Sequence, residues 1–161
     1  MNTLDYAIKM EQDGEKYYRE QAEINKNNAL YTACNLLAEE EKKHAQILEN
    51  KKNKLAYQLT DSNLFSDTRN IFSEVKDIET EGKQNPQLIF YRIASDMEKK
   101  SIELYNEFLG SATTNEEKEL FGYMIKQEKQ HFDLLDEMDR LLTNAEEWIE
   151  SPEFGRRREE Y

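Results

Sequence analysis

Apolar positions recur with a helical period in four long stretches of the chain. Leu4, Ala7, Ile8, Glu11, Gly14, Tyr18 and Ala22 share one stripe, and Leu30, Ala33, Leu37, Glu41, His44 and Leu48 share a second. Tyr91, Ala94, Glu98, Ser101, Tyr105 and Phe108 make a third, and Leu120, Met124, Glu128, His131, Leu135, Met138 and Leu142 a fourth. Polar residues fill the opposite faces, so the pattern predicts four amphipathic helices packed around one core. Each stripe also carries at least one glutamate, and two carry a histidine, at positions where a bundle needs apolar side chains.

Local signals set the boundaries. Asn85-Pro86 suits a helix N-cap followed by proline at the first helical position, and Thr114-Asn-Glu-Glu117 reads as a capping box. Gly110 is a helix stop. The links near Asn25–Asn28 and Gly110–Thr114 are short enough to force antiparallel pairs. The span from Asn53 to Gln84 is instead long enough to cross the bundle between the second and third helices, with a short helix expected around Ile71, Phe72, Val75 and Ile78. Residues 1–143 are therefore read as one antiparallel four-helix bundle. Residues 144–161, with Trp148, Phe154 and the Arg156-Arg157-Arg158 run, form a C-terminal tail outside it.

A shift of 87 residues superposes Ala7 on Ala94, Met10 on Met97, Glu11 on Glu98 and Tyr18 on Tyr105, and carries Glu41-x-x-His44 onto Glu128-x-x-His131. Two helix hairpins related by a pseudo-twofold axis follow from this repeat.

Composition agrees with an all-helical domain: 161 residues support a single core, and only five glycines and two prolines interrupt it. The net charge of −12 disfavours nucleic acid and anionic lipid as partners. No stretch is apolar enough to span a bilayer and the N-terminus has no secretory pattern, so the expected location is the cytosol. Cys34 is the single cysteine, which rules out an internal disulfide or a four-cysteine metal knot in this chain; it is read as a small buried residue.

Residues three apart on a helix point the same way, so Glu41 with His44, and Glu128 with His131, can each aim two donors at one point. Glu11 and Glu98 occupy the same inward phase on the first and third helices. Four ionised carboxylates in a core would each cost several kcal/mol and repel one another. No lysine or arginine in the stripes neutralises them. Two divalent cations would, and imidazole with carboxylate suits iron, manganese or zinc. Oxidation to two trivalent ions would call for a bridging oxo or hydroxo group. A glutamate three places before a histidine is common in so acidic a chain, but both histidines have one, and each follows a core-phase glutamate. Tyr18 and Tyr105, two turns after Glu11 and Glu98, are placed either to hydrogen-bond a ligating carboxylate or to sit as ordinary core tyrosines. Met10, Met97, Met124 and Met138 are read as core filler.

With MEQDGEKYY and DMEKKSIELY on the first and third helices, and EEEKKHAQIL and KQEKQHFDLL on the second and fourth, the chain resembles the rubrerythrin-like branch of the ferritin-like superfamily over residues 2–142. The resemblance implies a di-iron centre ligated by Glu11, Glu41, His44, Glu98, Glu128 and His131. It further implies reaction of the diferrous form with hydrogen peroxide or dioxygen, an external electron donor such as a rubredoxin-like protein, and a homodimer. Two features depart from the family pattern. Four rubredoxin-type cysteines are missing, and Ser101 stands where rubrerythrins carry an additional carboxylate, with Gly14 at the symmetric position. The expected function is a di-iron oxidoreductase. An iron-handling or ferroxidase module and a purely structural bundle are the rivals.

Overall fold

The computed structural model describes residues 2–28, 30–64 and 86–150, with 141–150 as backbone only. Four helices form an all-α bundle: α1 (Thr3–Ile24), α2 (Leu30–Lys52), α3 (Pro86–Ser111) and α4 (Asn115–Glu150). Helix α1 pairs with α2 and α3 with α4, and the two hairpins meet where α1 approaches α3. The expected helix around Ile71 to Ile78 lies outside the described residues.

Side-chain caps fix the ends. Asn2 accepts from the Asp5 amide at 2.8 Å to start α1. In the first turn the Asn25 amide group donates to the Gln21 carbonyl, and Asn28 Oδ1 accepts from the Leu30 amide to open α2. Thr114 accepts from the Glu117 amide at 3.2 Å, while the Glu117 carboxylate reaches the Thr113 amide, so the reciprocal bond of the box falls one residue earlier than the motif suggests. Helix α2 ends with Lys54 at φ 58°, the left-handed conformation usually given to glycine, and the Leu55 amide returns to the Asn50 carbonyl at 2.8 Å.

Helix α4 runs on to Glu150, past the position 143 where its apolar period stops. The beginning of the tail is thus continuous helix; residues 151–161 lie outside the described residues.

The core is divided in two by the buried polar residues. One apolar cluster joins Tyr18 and Ala22 of α1, Leu30 to Ala38 of α2, Leu88 to Ala94 of α3 and Leu134 to Met138 of α4. The other joins Ala7, Ile8, Ile47, Leu48, Tyr105 and Leu120 to Ile125. On every helix the glutamate or Glu-x-x-His falls between these two plugs. The start of the crossover lies along the α2–α4 side, where Tyr57 bonds Glu116, Ser62 bonds Glu40, and Tyr123 donates to the Thr60 carbonyl at 2.8 Å.

Candidate metal centre

All six candidate ligands are buried: Glu11, Glu41, Glu98 and Glu128 are at most 4 % exposed, and His44 and His131 are fully buried. They fall into two overlapping groups whose donor atoms lie within 4.8 Å of one another, Glu11, Glu41, His44 and Glu128 in one, and Glu41, Glu98, Glu128 and His131 in the other. Glu41 and Glu128 belong to both. The geometry therefore separates two shared carboxylates from two end pairs, Glu11 with His44 and Glu98 with His131.

Each imidazole presents Nδ1 to the carboxylates. His44 Nδ1 stands 3.2 Å from Glu128 and 3.5 Å from Glu11. His131 Nδ1 stands 3.2 Å from Glu41, 3.3 Å from Glu98 and 3.7 Å from Glu128. The two rings stack at 5.5 Å. Their outer Nε2 atoms face different groups: His44 meets Gln127 Oε1 at 3.3 Å, and His131 stands 4.0 Å from the Glu40 carboxylate.

Tyr18 donates to Glu98 at 2.6 Å and Tyr105 to Glu11 at 2.5 Å, so each phenol holds the end carboxylate of the opposite hairpin. Burial and the nearby carboxylates lift both phenols well above their ordinary pKa, which keeps them as donors.

The charges are unequal. Burial pushes Glu41 and Glu128 well above the usual carboxylate range, and the charges of their neighbours push them further. Burial acts the same way on Glu11 and Glu98 but is outweighed. The neighbouring Glu41 carboxyl and the His44 imidazole hold Glu11 low, and the His131 imidazole, with the Glu128 carboxyl and the Tyr18 phenol beside it, holds Glu98 low. His44 ends above its ordinary value because Glu11 overcomes its burial. Without metal, burial and mutual repulsion thus favour the protonated form of the shared carboxylates, and their neighbours favour the ionised form of the end carboxylates.

This donor set fits a pair of cations. Among the described residues no lysine or arginine pairs with any of the four glutamates, and Glu11 Oε2, Glu98 Oε2, both Glu128 oxygens, His44 Nδ1 and His131 Nε2 have no hydrogen-bond partner. Buried oxygens without donors are what coordination would satisfy.

A family model described as Rubrerythrin matches residues 2–139. The chain belongs to the rubrerythrin family. No curated protein and no solved structure gave a match. Membership in the rubrerythrin family and the buried cluster together support a di-iron site.

Sequence reasoning did not single out Gln127 and Glu40, although the 87-residue shift that pairs the ligands also pairs these two, each one place before a shared glutamate. Met124 and Met138 are core, as expected, but Met10 and Met97 are half-buried and line a pocket on the α1–α3 side. Cys34 is buried, its thiol pushed up to about 12 by burial alone, and takes no part in the centre. No helix among the described residues is long and apolar enough to cross a membrane.

Proposed function

We propose that the protein is a non-haem di-iron oxidoreductase that reduces hydrogen peroxide or dioxygen. The observation that carries this reading is the sharing of Glu41 and Glu128 between two donor groups, each completed by its own glutamate and histidine. Glu41 and Glu128 would bridge, Glu11 and His44 would hold one ion, and Glu98 and His131 the other. Two ferrous ions there would supply the two electrons that reduce the oxidant, acting also as Lewis acids.

The residues contribute in distinct ways. Bound cations would displace the protons that burial favours on Glu41 and Glu128, so carboxylate charge there would be balanced by the ions that call it up. The phenols of Tyr18 and Tyr105 hold one oxygen each of Glu98 and Glu11, fixing their orientation while leaving the second oxygen free to ligate. The apolar plugs above and below keep bulk water from the ends of the bundle. In this reading an external donor such as a rubredoxin-like protein returns the electrons, and the working unit is a homodimer.

Stopped-flow mixing of the anaerobically iron-loaded protein with peroxide tests the proposal: iron oxidation should be much faster than for ferrous iron in the same buffer, and an equal rate would refute it. A ferroxidase role in iron handling is the second reading, favoured by the −12 net charge that draws cations to the surface. It requires iron to accumulate beyond two per chain, whereas the oxidoreductase stays at two through repeated cycles of reduction.

A further inference from the structure

The α1–α3 side of the centre opens on a pocket of about 680 Å³. Met10 and Tyr17 of α1 and Met97 and Leu104 of α3 give it apolar walls, the carboxylates of Glu41 and Glu98 form part of its lining, and Lys9, Asp13 and Lys100, each in a surface ion pair, also line it. Neither histidine lines it. Both imidazoles turn their Nε2 atoms toward Gln127 and Glu40, on the side where residues 57–62 lie against α2 and α4. The two faces of the centre are therefore different: one covered and bearing the imidazoles, the other open, apolar and ending on carboxylates.

Gly14 and Ser101, symmetric under the 87-residue shift, clear the way between the pocket and those carboxylates. A Cβ on Gly14 would stand 3.2 Å from Glu41 Oε2, so glycine lets that carboxylate lie against α1. The Ser101 hydroxyl is turned back to the Met97 carbonyl at 3.1 Å and brings no donor into the cavity. Glu98, only 2 % exposed, has its Oε2 without a hydrogen-bond partner at this boundary.

Size and charge together define an occupant. Peroxide and dioxygen have two heavy atoms, whereas the pocket falls within the roughly 300–1,000 Å³ that drug-sized organic ligands occupy. Methionine, leucine and tyrosine walls favour an apolar body. A centre with four carboxylates, two imidazoles and two divalent ions is neutral overall, and on this side it has oxygen ligands but no imidazole. An anionic oxygen head group is then attracted by the cations. Without metal the same floor offers the head group carboxylate oxygens and no cation, so nothing there anchors the acid.

We propose that this pocket binds an apolar monocarboxylic acid, with its chain along the α1–α3 walls and its carboxylate directed at the metal pair. The proposal rests on the dinuclear reading above, and it makes acid binding conditional on metal.

Zinc, which is redox-silent, allows a test by binding alone. The full chain is loaded with zinc, its metal content counted, and decanoate titrated calorimetrically into loaded and metal-free protein, with decylamine as the cationic control. Decanoate should bind the zinc-loaded protein one to one and the metal-free protein at least about tenfold more weakly, a difference of about 1.4 kcal/mol. Ser101→Leu and, separately, Leu104→Trp fill the pocket and should weaken decanoate binding by a similar factor while keeping two zinc ions per chain; either variant that folds serves. Protein holding two zinc ions that ignores decanoate, or binds it equally without metal, overturns the pocket proposal and leaves the metal site standing. A sedimenting dimer whose second copy covers the pocket and blocks decanoate overturns it equally. Failure to bind zinc at all overturns both.

Discussion

Tyr18 on α1 donates its hydroxyl hydrogen to Glu98 on α3 across 2.6 Å, from one hairpin to the other. The symmetric bond from Tyr105 to Glu11 runs the opposite way, so α1 and α3 are tied by two antiparallel links through the centre of the molecule. Neither tyrosine belongs to the two groups of candidate metal donors. Each holds a carboxylate that does.

Removing one phenol hydroxyl by Tyr18→Phe should therefore leave the helices in place and weaken metal binding by roughly 10- to 100-fold, the range found when a group orienting a ligand is lost. Tyr105→Phe should do the same at the opposite end. Competition with a chelator of known affinity measures this. Unchanged affinity in both variants would make the tyrosines ordinary core residues.

The shared carboxylates give a second expectation, in which stability and binding move in opposite directions. Burial and the neighbouring charges favour the protonated form of Glu41 in the metal-free protein, so glutamine, of the same shape and uncharged, should fit the apo fold at least as well. Glu41→Gln should melt in chelator no lower than the unmodified protein. Because Glu41 belongs to both donor groups, the variant should also lose the stabilisation that metal provides, about 2.7 kcal/mol for a ligand at a hundred times its Kd. Calorimetric melts with and without metal decide this, and a variant destabilised in chelator would contradict the protonation assigned to Glu41.

Much of this arrangement is legible in the chain because a bundle core writes its contents at a period of 3.6 residues. A glutamate or histidine inside an apolar stripe is conspicuous, and the 87-residue repeat shows that Glu11, Glu41 and His44 have partners. Other features carry no such mark. Gln127 and Glu40 sit beside the ligands but look like ordinary polar residues of a charged helix, and only the direction of the imidazole Nε2 atoms reveals them. Met10 and Met97 obey the apolar period, yet the opening between α1 and α3 makes them pocket walls. Residues 143–150 lack the period and are helical all the same, since a helix can extend beyond the core that nucleated it.

Protonation makes stability and affinity depend on pH in opposite senses. Glu41 and Glu128 have folded pKa values raised above the ordinary 4.5, so their contribution to metal-free stability is complete below about 4.5 and is lost as pH rises through the raised values. Glu11 and Glu98, held low, contribute above the ordinary value and lose it as pH falls through their depressed values. Metal-free protein should therefore lose stability toward alkaline pH, and Glu41→Gln with Glu128→Gln should flatten that limb. Metal affinity should instead rise with pH, because the cations displace protons from both carboxylates and from His44, whose own pKa is raised. Denaturant titrations in chelator and metal titrations from about pH 5 to 9, spanning the histidine range, test both slopes. Parallel slopes would show that metal and protons do not compete for these groups.

A break in the pseudo-twofold axis behind the imidazoles would make the two ions distinguishable. Gln127 offers His44 a neutral amide oxygen at 3.3 Å, and the symmetric Glu40, which Ser62 also bonds, sets a negative charge 4.0 Å behind His131 without a hydrogen bond. A carboxylate behind an imidazole raises its basicity as a ligand. The ion at Glu98 and His131 should therefore bind first, with the ion at Glu11 and His44 following at lower affinity. Glu40→Gln should bring the two steps together by weakening the first, and Gln127→Glu by strengthening the second. Cobalt titration followed by its visible absorption resolves the steps without any turnover. Two equal steps in the unmodified protein would mean that the inner donors, which obey the symmetry, set the affinities alone.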